Sequence, residues 1–320
     1  MFSIVCPVYK PVQEYFKQTV ESVLAQTYEN FELILVNASS EEPGLCELIE
    51  SFSSNKILHH KMKENTGIVG NTNAGIELAG GDYICVLDHD DFIEPNLLEE
   101  YAGAINAKPS TDMLYCDEDS VEESGKHVIP ILKPDFNIDA LYSNNFVIHL
   151  LCVSRRVIEN TQRSTNIVES AQDYDMILKA YEYSNNIIHV PKILFHWRAH
   201  SQSTNLGNSE SKPYCLQASK IAIGQHLERC GLKADISDDQ VLYTYKTIFE
   251  LPPLREFSLD IYSFAETAAL NNAQLTQKLQ LVPNVNLNRI ARVKSVTEIN
   301  EQVFASSADF SLVLDDFNSY

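Results

Sequence analysis

The chain has 320 residues, of which 44% are hydrophobic and 21% charged, and its formal net charge is −20 at pH 7. This is the composition of a globular protein with enough apolar residues for a core, and the length suits one large domain or two ordinary ones. The excess of acidic residues excludes a protein that binds nucleic acid or an anionic membrane through a basic surface.

Short apolar runs alternate with helical patterns over the first hundred residues. The apolar runs predict β-strands at 2–7, 33–36, 57–58 and 83–87. Between them, apolar residues recur at helical spacing, which predicts helices within 12–24, 45–52 and 73–78. Strands and helices that alternate in this way form βαβ units. We therefore expect an α/β fold with a Rossmann-like, mostly parallel sheet flanked by helices.

The carboxyl ends of these strands bring polar residues to one edge of the predicted sheet. Pro7 and Tyr9 follow the first strand, Asn37 follows the second, and the acidic run Asp88-His89-Asp90-Asp91 follows the fourth. Ligands of open α/β sheets bind outside the carboxyl ends of the strands. The sequence therefore predicts a binding site at this edge.

Beyond residue 110 we predict strands at 113–116 and 187–190, and helices at 173–183 and 216–227. A turn-rich break near 231–239 divides the chain into domains 1–235 and 240–320. Residues 300–315 align without a gap with 73–88, and both segments end in an aspartate. We interpret 240–320 as a smaller α/β segment, a truncated or degenerate second nucleotide-binding half, in which Asp315 and Asp316 lack a partner base.

The acidic run after the fourth strand has two interpretations from charge alone. Its three carboxylates repel one another unless solvent or a cation relieves the repulsion. A solvated turn that caps the next helix and an oxygen-ligand site for Mg²⁺ or Mn²⁺ both remain open. An EF-hand loop starting at Asp88 is excluded, because Phe92 and Ile93 stand where it needs an oxygen ligand and a glycine.

Alternation in residues 193–200 places His196, Arg198 and His200 on one face of a predicted strand. The two histidines are spaced like a zinc pair. A metalloprotease motif, however, needs a glutamate directly after the first of them, where Trp197 stands. By contrast, the apolar neighbours of His149 and His189 predict core or edge residues.

An ordered set of motifs over about 200 residues resembles glycosyltransferase family 2, whose members have the GT-A fold. The motifs are SIVCPVY from Ser3, LVNAS from Leu35, NTGI from Asn65, GDYI from Gly81 leading into LDHDD, KPD from Lys133, AQDYD from Ala171 and FHWRAH from Phe195. The set is similar to members that build bacterial surface polysaccharides. Some of these carry two tandem transferase domains, which suits the repeat in 240–320.

The resemblance implies roles for the residues at the sheet edge. Pro7 and Tyr9 would lie against the nucleotide base, and Asn37 occupies the place of an aspartate that often reads the base. Asp88 would contact the ribose, and Asp90 would bind the metal that bridges the two phosphates. Asp91 would not bind the metal directly but would lie next to Asp88 and Asp90 and help to position them.

The resemblance also implies donor contacts outside the acidic run. Asn73, in Thr72-Asn73, stands where an Arg-Asn pair is common, so one expected cation is missing there. Arg198, with His196 or His200, would lie near the leaving diphosphate, and the two histidines are weaker candidates for metal ligands. A surface histidine and a structural arginine are the alternative.

Asp173 is the candidate general base. It lies at the start of a helix pattern, where the helix dipole and free N–H groups favour a carboxylate. A simple helix cap is the alternative role, and Asp175 is the nearest rival for the base.

The resemblance thus implies a metal-dependent, inverting glycosyltransferase that uses Mn²⁺ or Mg²⁺. It would move a sugar from a nucleotide-diphosphate sugar to a hydroxyl of a glycan or lipid-linked acceptor in cell-surface polysaccharide synthesis. A nucleotidyltransferase is disfavoured, because residues 7–11 are poor for cradling a triphosphate. A non-catalytic sugar-nucleotide or carbohydrate-binding domain of a larger assembly remains open, because residues 160–164 lack the Gly-Gly-Phe-like stretch of many relatives.

Cysteine usage and hydropathy predict the compartment. The seven cysteines are scattered, and no Cys-x-x-Cys pair occurs, which favours a reducing environment. The residues from Met1 to Cys6 lack a basic region, so we interpret them as a strand rather than a signal peptide. No apolar run reaches the roughly 18 residues of a membrane span. We expect a cytoplasmic protein, which its acceptor could bring to the inner face of the membrane.

Overall fold

The computed structural model describes residues 1–199, 212–250, 257–263, 285–292, 302–303, 307–308 and 310–314. The chain divides into two compact units, Met1–Phe249 and Glu250–Tyr320. Within the described residues, no helix combines the length and the apolar character that crossing a bilayer requires.

The first unit begins with the predicted alternation of strands and helices. Its elements are β1 (Phe2–Val8), α1 (Gln13–Leu24), β2 (Phe31–Asn37), α2 (Leu45–Ser51), β3 (Ile57–Lys61), α3 (Gly67–Leu78) and β4 (Tyr83–Val86). The four strands lie in the order β3-β2-β1-β4 and are all parallel. The carboxyl ends of β1, β2 and β4 therefore share one edge, as the sequence predicts.

Side-chain alternation in β1 divides the core into two layers. Val5 belongs to the layer on the side of α3, whereas Ile4 and Cys6 belong to the layer that α1 and α4 cover. All seven residues of β1 are buried. Because helices cover both faces of this central strand, almost every side chain in it is apolar, and the sequence shows a continuous apolar run.

The rest of the first unit extends the sheet with antiparallel strands. Its elements are β5 (Phe92–Ile93), α4 (Leu97–Ala107), β6 (Met113–Glu122), β7 (His127–Ile131), α5 (Ile138–Ser143), β8 (Cys152–Ser154), α6 (Arg155–Asn160), a 3₁₀ helix (Asn166–Ala171), α7 (Gln172–Tyr181), β9 (Ile187–Ala199) and α8 (Lys212–Arg229). The full order is β3-β2-β1-β4-β8-β6-β9-β5, with β7 on β6. Strand β8 is antiparallel to β4 and β6, while β6 and β9 are parallel. The mixed α/β class and the mostly parallel core are confirmed.

Strand β9 is longer than the predicted 187–190. Its second half pairs with residues 117–122 of β6 and with β5. These stretches carry charged residues, so hydrophobic patterning alone does not identify them as strands. The extra length joins the segment after the acidic run to the main sheet.

A hairpin of β10 (Ala234–Asp238) and β11 (Tyr245–Phe249) completes the first unit. Tyr245 is 3% exposed within the core, and Thr247 Oγ1 donates a hydrogen bond to the carbonyl of Tyr142 at 3.2 Å. Asn144 Nδ2 donates to the carbonyl of Tyr243 at 3.1 Å. The two units therefore divide after Phe249 rather than at 235–240, because the turn-rich segment belongs to a packed hairpin.

The second unit contains three parallel strands. They are β12 (Phe257–Ser263), β13 (Val285–Arg292) and β14 (Phe310–Leu314), in the order β13-β12-β14. This order is the same as β2-β1-β4 in the first unit, which supports our proposal of a second, truncated copy. Asp315 and Asp316 lie outside the described residues.

Candidate active site

The acidic run lies at the carboxyl end of β4, next to a histidine from the turn that precedes β8. Asp88, Asp91 and His149 each offer one ligand atom, and these atoms lie within 4.8 Å of one another. Strand β8 pairs with β4 so that Cys85 lies opposite Cys152. This pairing brings the turn before β8, which carries His149, to the end of β4 that leads into Asp88. His149 is 8% exposed, which agrees with the predicted core or edge position, and its side chain also belongs to this cluster.

The carboxyl groups of this cluster have perturbed acidity. Burial, followed by the charges of Asp173 and Asp90, raises the pKa of Asp88 to about 7. Burial, with Asp90 and Asp88, also raises the pKa of Asp91, and burial raises the pKa of Asp173. Like charges in a poorly solvated site disfavour ionisation. A bound cation would relieve this repulsion.

Only one of the two carboxylate oxygens of Asp91 has a hydrogen-bond partner among the described residues. Its Oδ1 accepts a hydrogen bond from the backbone N–H of Arg198 at 2.7 Å. Its Oδ2 is buried and has no hydrogen-bond partner among the described residues. Such a buried acceptor is costly unless something satisfies it. The structure thus leaves a carboxylate oxygen available to a cation.

His149 joins the acidic run to a buried ion pair. Its Nδ1 lies 3.3 Å from Glu118 Oε2, and the Nζ of Lys133 lies 2.8 Å from the same oxygen. Burial lowers the pKa of His149, but Glu118, then Asp173 and Asp88, raise it above its usual value overall. The ring of His149 stacks on Phe195 at 4.5 Å. The carboxylates around the imidazole thus stabilise its charged form relative to an isolated histidine.

Asp173 is brought to the acidic run by the start of α7. The helix cap is Ala171, so Asp173 is not the capping residue. Asp173 and Asn73 line a small cavity of about 30 Å³. The rival Asp175 is fully buried, and its Oδ2 lies 2.7 Å from Lys179 Nζ. Of the two carboxylates, Asp173 is the one whose charge acts on Asp88.

Arg198 holds the acidic run with two hydrogen bonds, one from its side chain and one from its backbone. Its Nε donates to the carbonyl of Asp90 at 2.8 Å, and its backbone N–H binds Asp91. The guanidinium lies 4.4 Å from the ring centre of Tyr15 and 5.2 Å from that of Phe92. We predicted Arg198 near a diphosphate. The structure shows a buried arginine that packs on aromatic rings and holds the run in place, and its contact with a diphosphate remains a prediction.

Comparison with known proteins identifies the family of the first part of the chain. Residues 3–153 match the family described as glycosyl transferase family 2. Residues 3–153 therefore form a glycosyl transferase family 2 domain. The O-antigen biosynthesis protein RfbC of Myxococcus xanthus is 28% identical over 241 residues, which are 74% of this chain and 19% of that protein. The chain covers 19–37% of the length of the first five curated relatives.

Solved structures share the fold of this chain. S. aureus TarS 1–349 in complex with UDP-GlcNAc superimposes with a TM-score of 0.57 and 19% identity, over 71% of this chain and 66% of that one. The mannosyltransferase PcManGT of Pyrobaculum calidifontis, in complex with GDP-Man and Mn²⁺, gives a TM-score of 0.51 and 15% identity, over 69% and 64%. These likenesses confirm the GT-A fold.

The remaining donor residues of the chain differ in accessibility. Tyr9 is 42% exposed beside the buried Pro7 at the end of β1. Asn37 is fully buried: its Oδ1 accepts from the N–H of Ser39 at 3.0 Å, and its Nδ2 lies 3.2 Å from His59 Nε2. The two polar ends of Asn37 thus contact the loop after β2 and strand β3. Contact with a nucleotide base remains a prediction for all three.

Three further predicted residues are Asn73, His196 and His200, and only the first lies close to Asp173. Asn73 Nδ2 donates to the carbonyl of Ser164 at 3.0 Å, close to Asp173. His196 belongs to a different cluster, in which its Nδ1 lies 2.6 Å from Asp119 Oδ1. His200 lies outside the described residues. The metal role of His196 at the acidic run is therefore not supported by its contacts.

Proposed function

We propose that the first unit is an inverting glycosyltransferase. It moves a sugar from a nucleotide-diphosphate sugar to a hydroxyl of a glycan or lipid-linked acceptor in cell-surface polysaccharide synthesis. The observation that carries this proposal is the approach of Asp173 to the acidic run at the carboxyl edge of the sheet. There, a candidate base and a candidate cation site act on one another electrostatically.

A divalent cation, Mn²⁺ or Mg²⁺, fits the residues at this edge. Asp90 would hold it, with Asp88 or Asp91 beside it, and the unpartnered Oδ2 of Asp91 supports such a donor set. When bound, the cation neutralises the charge that develops on the leaving diphosphate. It would also reconcile an anionic donor with a protein of net charge −20.

In the proposed reaction, Asp173 accepts the proton of the acceptor hydroxyl. The oxygen then forms a bond to the anomeric carbon from the face opposite the nucleotide, while the bond to the diphosphate breaks. A raised pKa suits this role, because a base works best when its pKa approaches the working pH. General base catalysis contributes about 10²–10⁴-fold, and positioning of the two substrates supplies much of the rest.

The relatives support the substrates and the setting of the proposal. TarS 1–349 is in complex with UDP-GlcNAc, and PcManGT is in complex with GDP-Man and Mn²⁺. The similar region of RfbC belongs to an O-antigen biosynthesis protein. We extend these descriptions to a nucleotide-sugar donor, a divalent cation and an acceptor that grows at the cytoplasmic face of the membrane.

The substitution Asp173→Asn tests the base. We expect donor binding to stay nearly unchanged while turnover falls by about 10² or more, because the amide cannot accept the proton. Donor affinity comes from calorimetry, and turnover from sugar transfer or donor hydrolysis. Asp139→Asn is a matched control, since Asp139 is an exposed aspartate in the first turn of α5. Near-normal turnover in Asp173→Asn would remove Asp173 from this role.

The substitution Asp90→Ala tests the cation. We expect the binding of UDP with Mn²⁺ to weaken, because the oxygen ligand is lost, whereas UDP without the metal binds the variant and the wild type alike. Calorimetry with and without Mn²⁺ separates the two contributions. Unchanged metal-dependent binding would place the cation elsewhere.

A non-catalytic sugar-nucleotide-binding domain is the second candidate. The cavity beside Asp173 has a volume of about 30 Å³, and residues 161–164 line it, where many relatives have a Gly-Gly-Phe-like stretch. Donor hydrolysis with and without Mn²⁺ distinguishes the candidates. A binding domain takes up the donor without consuming it in either condition.

A further inference from the structure

A second group of histidine and carboxylate side chains lies on the sheet face opposite His149. Strand β9 alternates, so Phe195 points toward His149 and the next residue, His196, points to the other face. There His196 meets Asp119 of β6 and His127 of β7, and the three offer ligand atoms within 4.8 Å of one another. We propose that Asp119, His127 and His196 bind a Zn²⁺ ion.

The geometry suits a tetrahedral site with small adjustments. His127 Nδ1 lies 2.8 Å from Asp119 Oδ2, and His196 Nδ1 lies 2.6 Å from Asp119 Oδ1. Ligand atoms around Zn²⁺ lie about 3.3 Å apart, as follows from Zn–N and Zn–O distances of about 2.0–2.2 Å. The hydrogen-bonded pairs therefore need to separate by less than about 1 Å to admit the ion. Imidazole nitrogens with a carboxylate oxygen form a donor set that zinc favours.

Glu94 orients one of the two histidine ligands. Its Oε1 lies 3.1 Å from His196 Nε2, the nitrogen that faces away from Asp119. Metal-bound histidines usually donate their other ring N–H to a carboxylate, which fixes the tautomer and makes the ligand nitrogen more basic. His196 thus has a metal-facing nitrogen and an anchored one. The side chain of His127 is 49% exposed, so the site opens to solvent there and a water can complete the coordination.

Charge balance also favours a cation. Within the described ranges, Asp119 and Glu94 form their ion pairs only with the two imidazoles, and with no lysine or arginine. Neutral imidazoles would leave two negative charges in this partly buried group, which a divalent ion would offset.

A group of similar composition shows the contrast. Glu182, His226 and Cys230 also have ligand atoms close together, but the guanidinium of Arg229 binds Glu182 at 2.7–3.0 Å. The carboxylate of Glu182 is therefore already neutralised by a side-chain cation. The Asp119 group has no such cation among the described residues.

A zinc ion at this place would clamp four strands. Its ligands come from β6, β7 and β9, and the ring of His196 lies 4.7 Å from that of Phe92 in β5. Phe92 directly follows Asp91. The ion would therefore stiffen the support of the acidic run from the far side of the sheet.

The test is zinc binding by the full chain after its metal has been removed with a chelator. In calorimetry with Zn²⁺ alone and no nucleotide, we expect one ion per chain. His127→Ala should weaken binding by more than the roughly 10–100-fold that the loss of an outer partner costs. His127 is half exposed on β7, so the variant should unfold at the same temperature as the wild type when both are metal-free.

Two controls separate this site from the donor-binding edge. His60→Ala, a histidine substitution on β3, should leave zinc affinity unchanged, and Asp90→Ala should leave it unchanged as well. The proposal is overturned if the wild type binds no zinc, if His127→Ala binds it equally well, or if Asp90→Ala abolishes binding. None of these outcomes bears on the role of Asp173.

Discussion

At the scale of single residues, a buried ion pair between Lys133 and Glu118 stabilises the candidate active site. The Lys133 side chain is 1% exposed, and its Nζ donates to Glu118 and to the carbonyls of Val147 and His149. A lysine buried this deeply is tolerated because all three of its donors are used. Glu118 keeps its pKa below the usual value, since His149 and Lys133 outweigh the effect of burial. The pair fixes the backbone of His149 beside the acidic run.

Removal of Lys133 tests this arrangement. We expect Lys133→Met to lower the free energy of unfolding by about 3–5 kcal/mol, because Glu118 would stay buried without the ammonium group 2.8 Å from its carboxylate. Lys192→Met is the control. Lys192 is half exposed and pairs with Glu100 on the surface, so it should cost less than about 1 kcal/mol. Urea denaturation followed by circular dichroism measures both, and equal losses would contradict the buried-pair argument.

At the scale of elements, close packing of α3 on the sheet positions the residues next to Asp173. A Cβ at Gly75 would lie 2.3 Å from Val5 Cγ1 and 2.9 Å from Val36 Cγ2. Only a residue without a side chain permits this approach to β1 and β2. Asn73, two positions earlier in α3, lines the cavity with Asp173. The glycine thus sets how far this wall of the cavity stands from the strands.

The substitution Gly75→Ala tests the close approach. Overpacking of a core costs about 1–3 kcal/mol, so we expect the variant to unfold at lower urea concentration than the wild type. Gly103→Ala in α4 is the matched control, because a Cβ there meets nothing within 4 Å. That change should stabilise by about 0.5–1 kcal/mol, since alanine favours the helix over glycine. A stable Gly75→Ala would mean that α3 can shift at little cost.

At the scale of the whole molecule, the first unit contains every described residue that we assign to the two sites. Its boundary depends on the β10–β11 hairpin, whose Tyr245 lies in the core with Tyr174. A chain that ends at 235 would expose this part of the core, whereas a chain that ends at 250 would keep it covered. The position of the boundary therefore predicts a difference in stability between the two fragments.

Two truncations test the boundary. We expect residues 1–250 to fold cooperatively and to bind a nucleotide-sugar with the affinity of the full chain. Residues 1–235 should unfold at a lower temperature, because the contacts of Tyr245 and Thr247 are lost. Thermal unfolding and calorimetry provide the measurements. If the two fragments were equally stable, the hairpin would be dispensable, and the boundary at 235–240 would be restored.

The sequence predicted the strands and helices of the first hundred residues because their apolar spacing is a local property. For the same reason it placed Asp88 to Asp91 at a strand end and Asp173 at a helix start. It missed the role of His149, which lies 61 positions after Asp88 and has apolar neighbours in the chain. It also missed the hydrogen bond from Arg198 to the backbone of the acidic run. A strand pattern predicts which face a side chain is on, but not which residues it contacts.

Taken alone, the sequence determined the α/β class, the edge of the sheet that carries the acidic run, and the family resemblance. The tertiary structure decided which charged groups share a face. The antiparallel pairing of β8 with β4 brings the turn that carries His149 next to Asp88, and the pairing of β9 with β6 sets His196 opposite Asp119. Strand order and register arise from contacts between distant segments, so spacing within one segment does not reveal them.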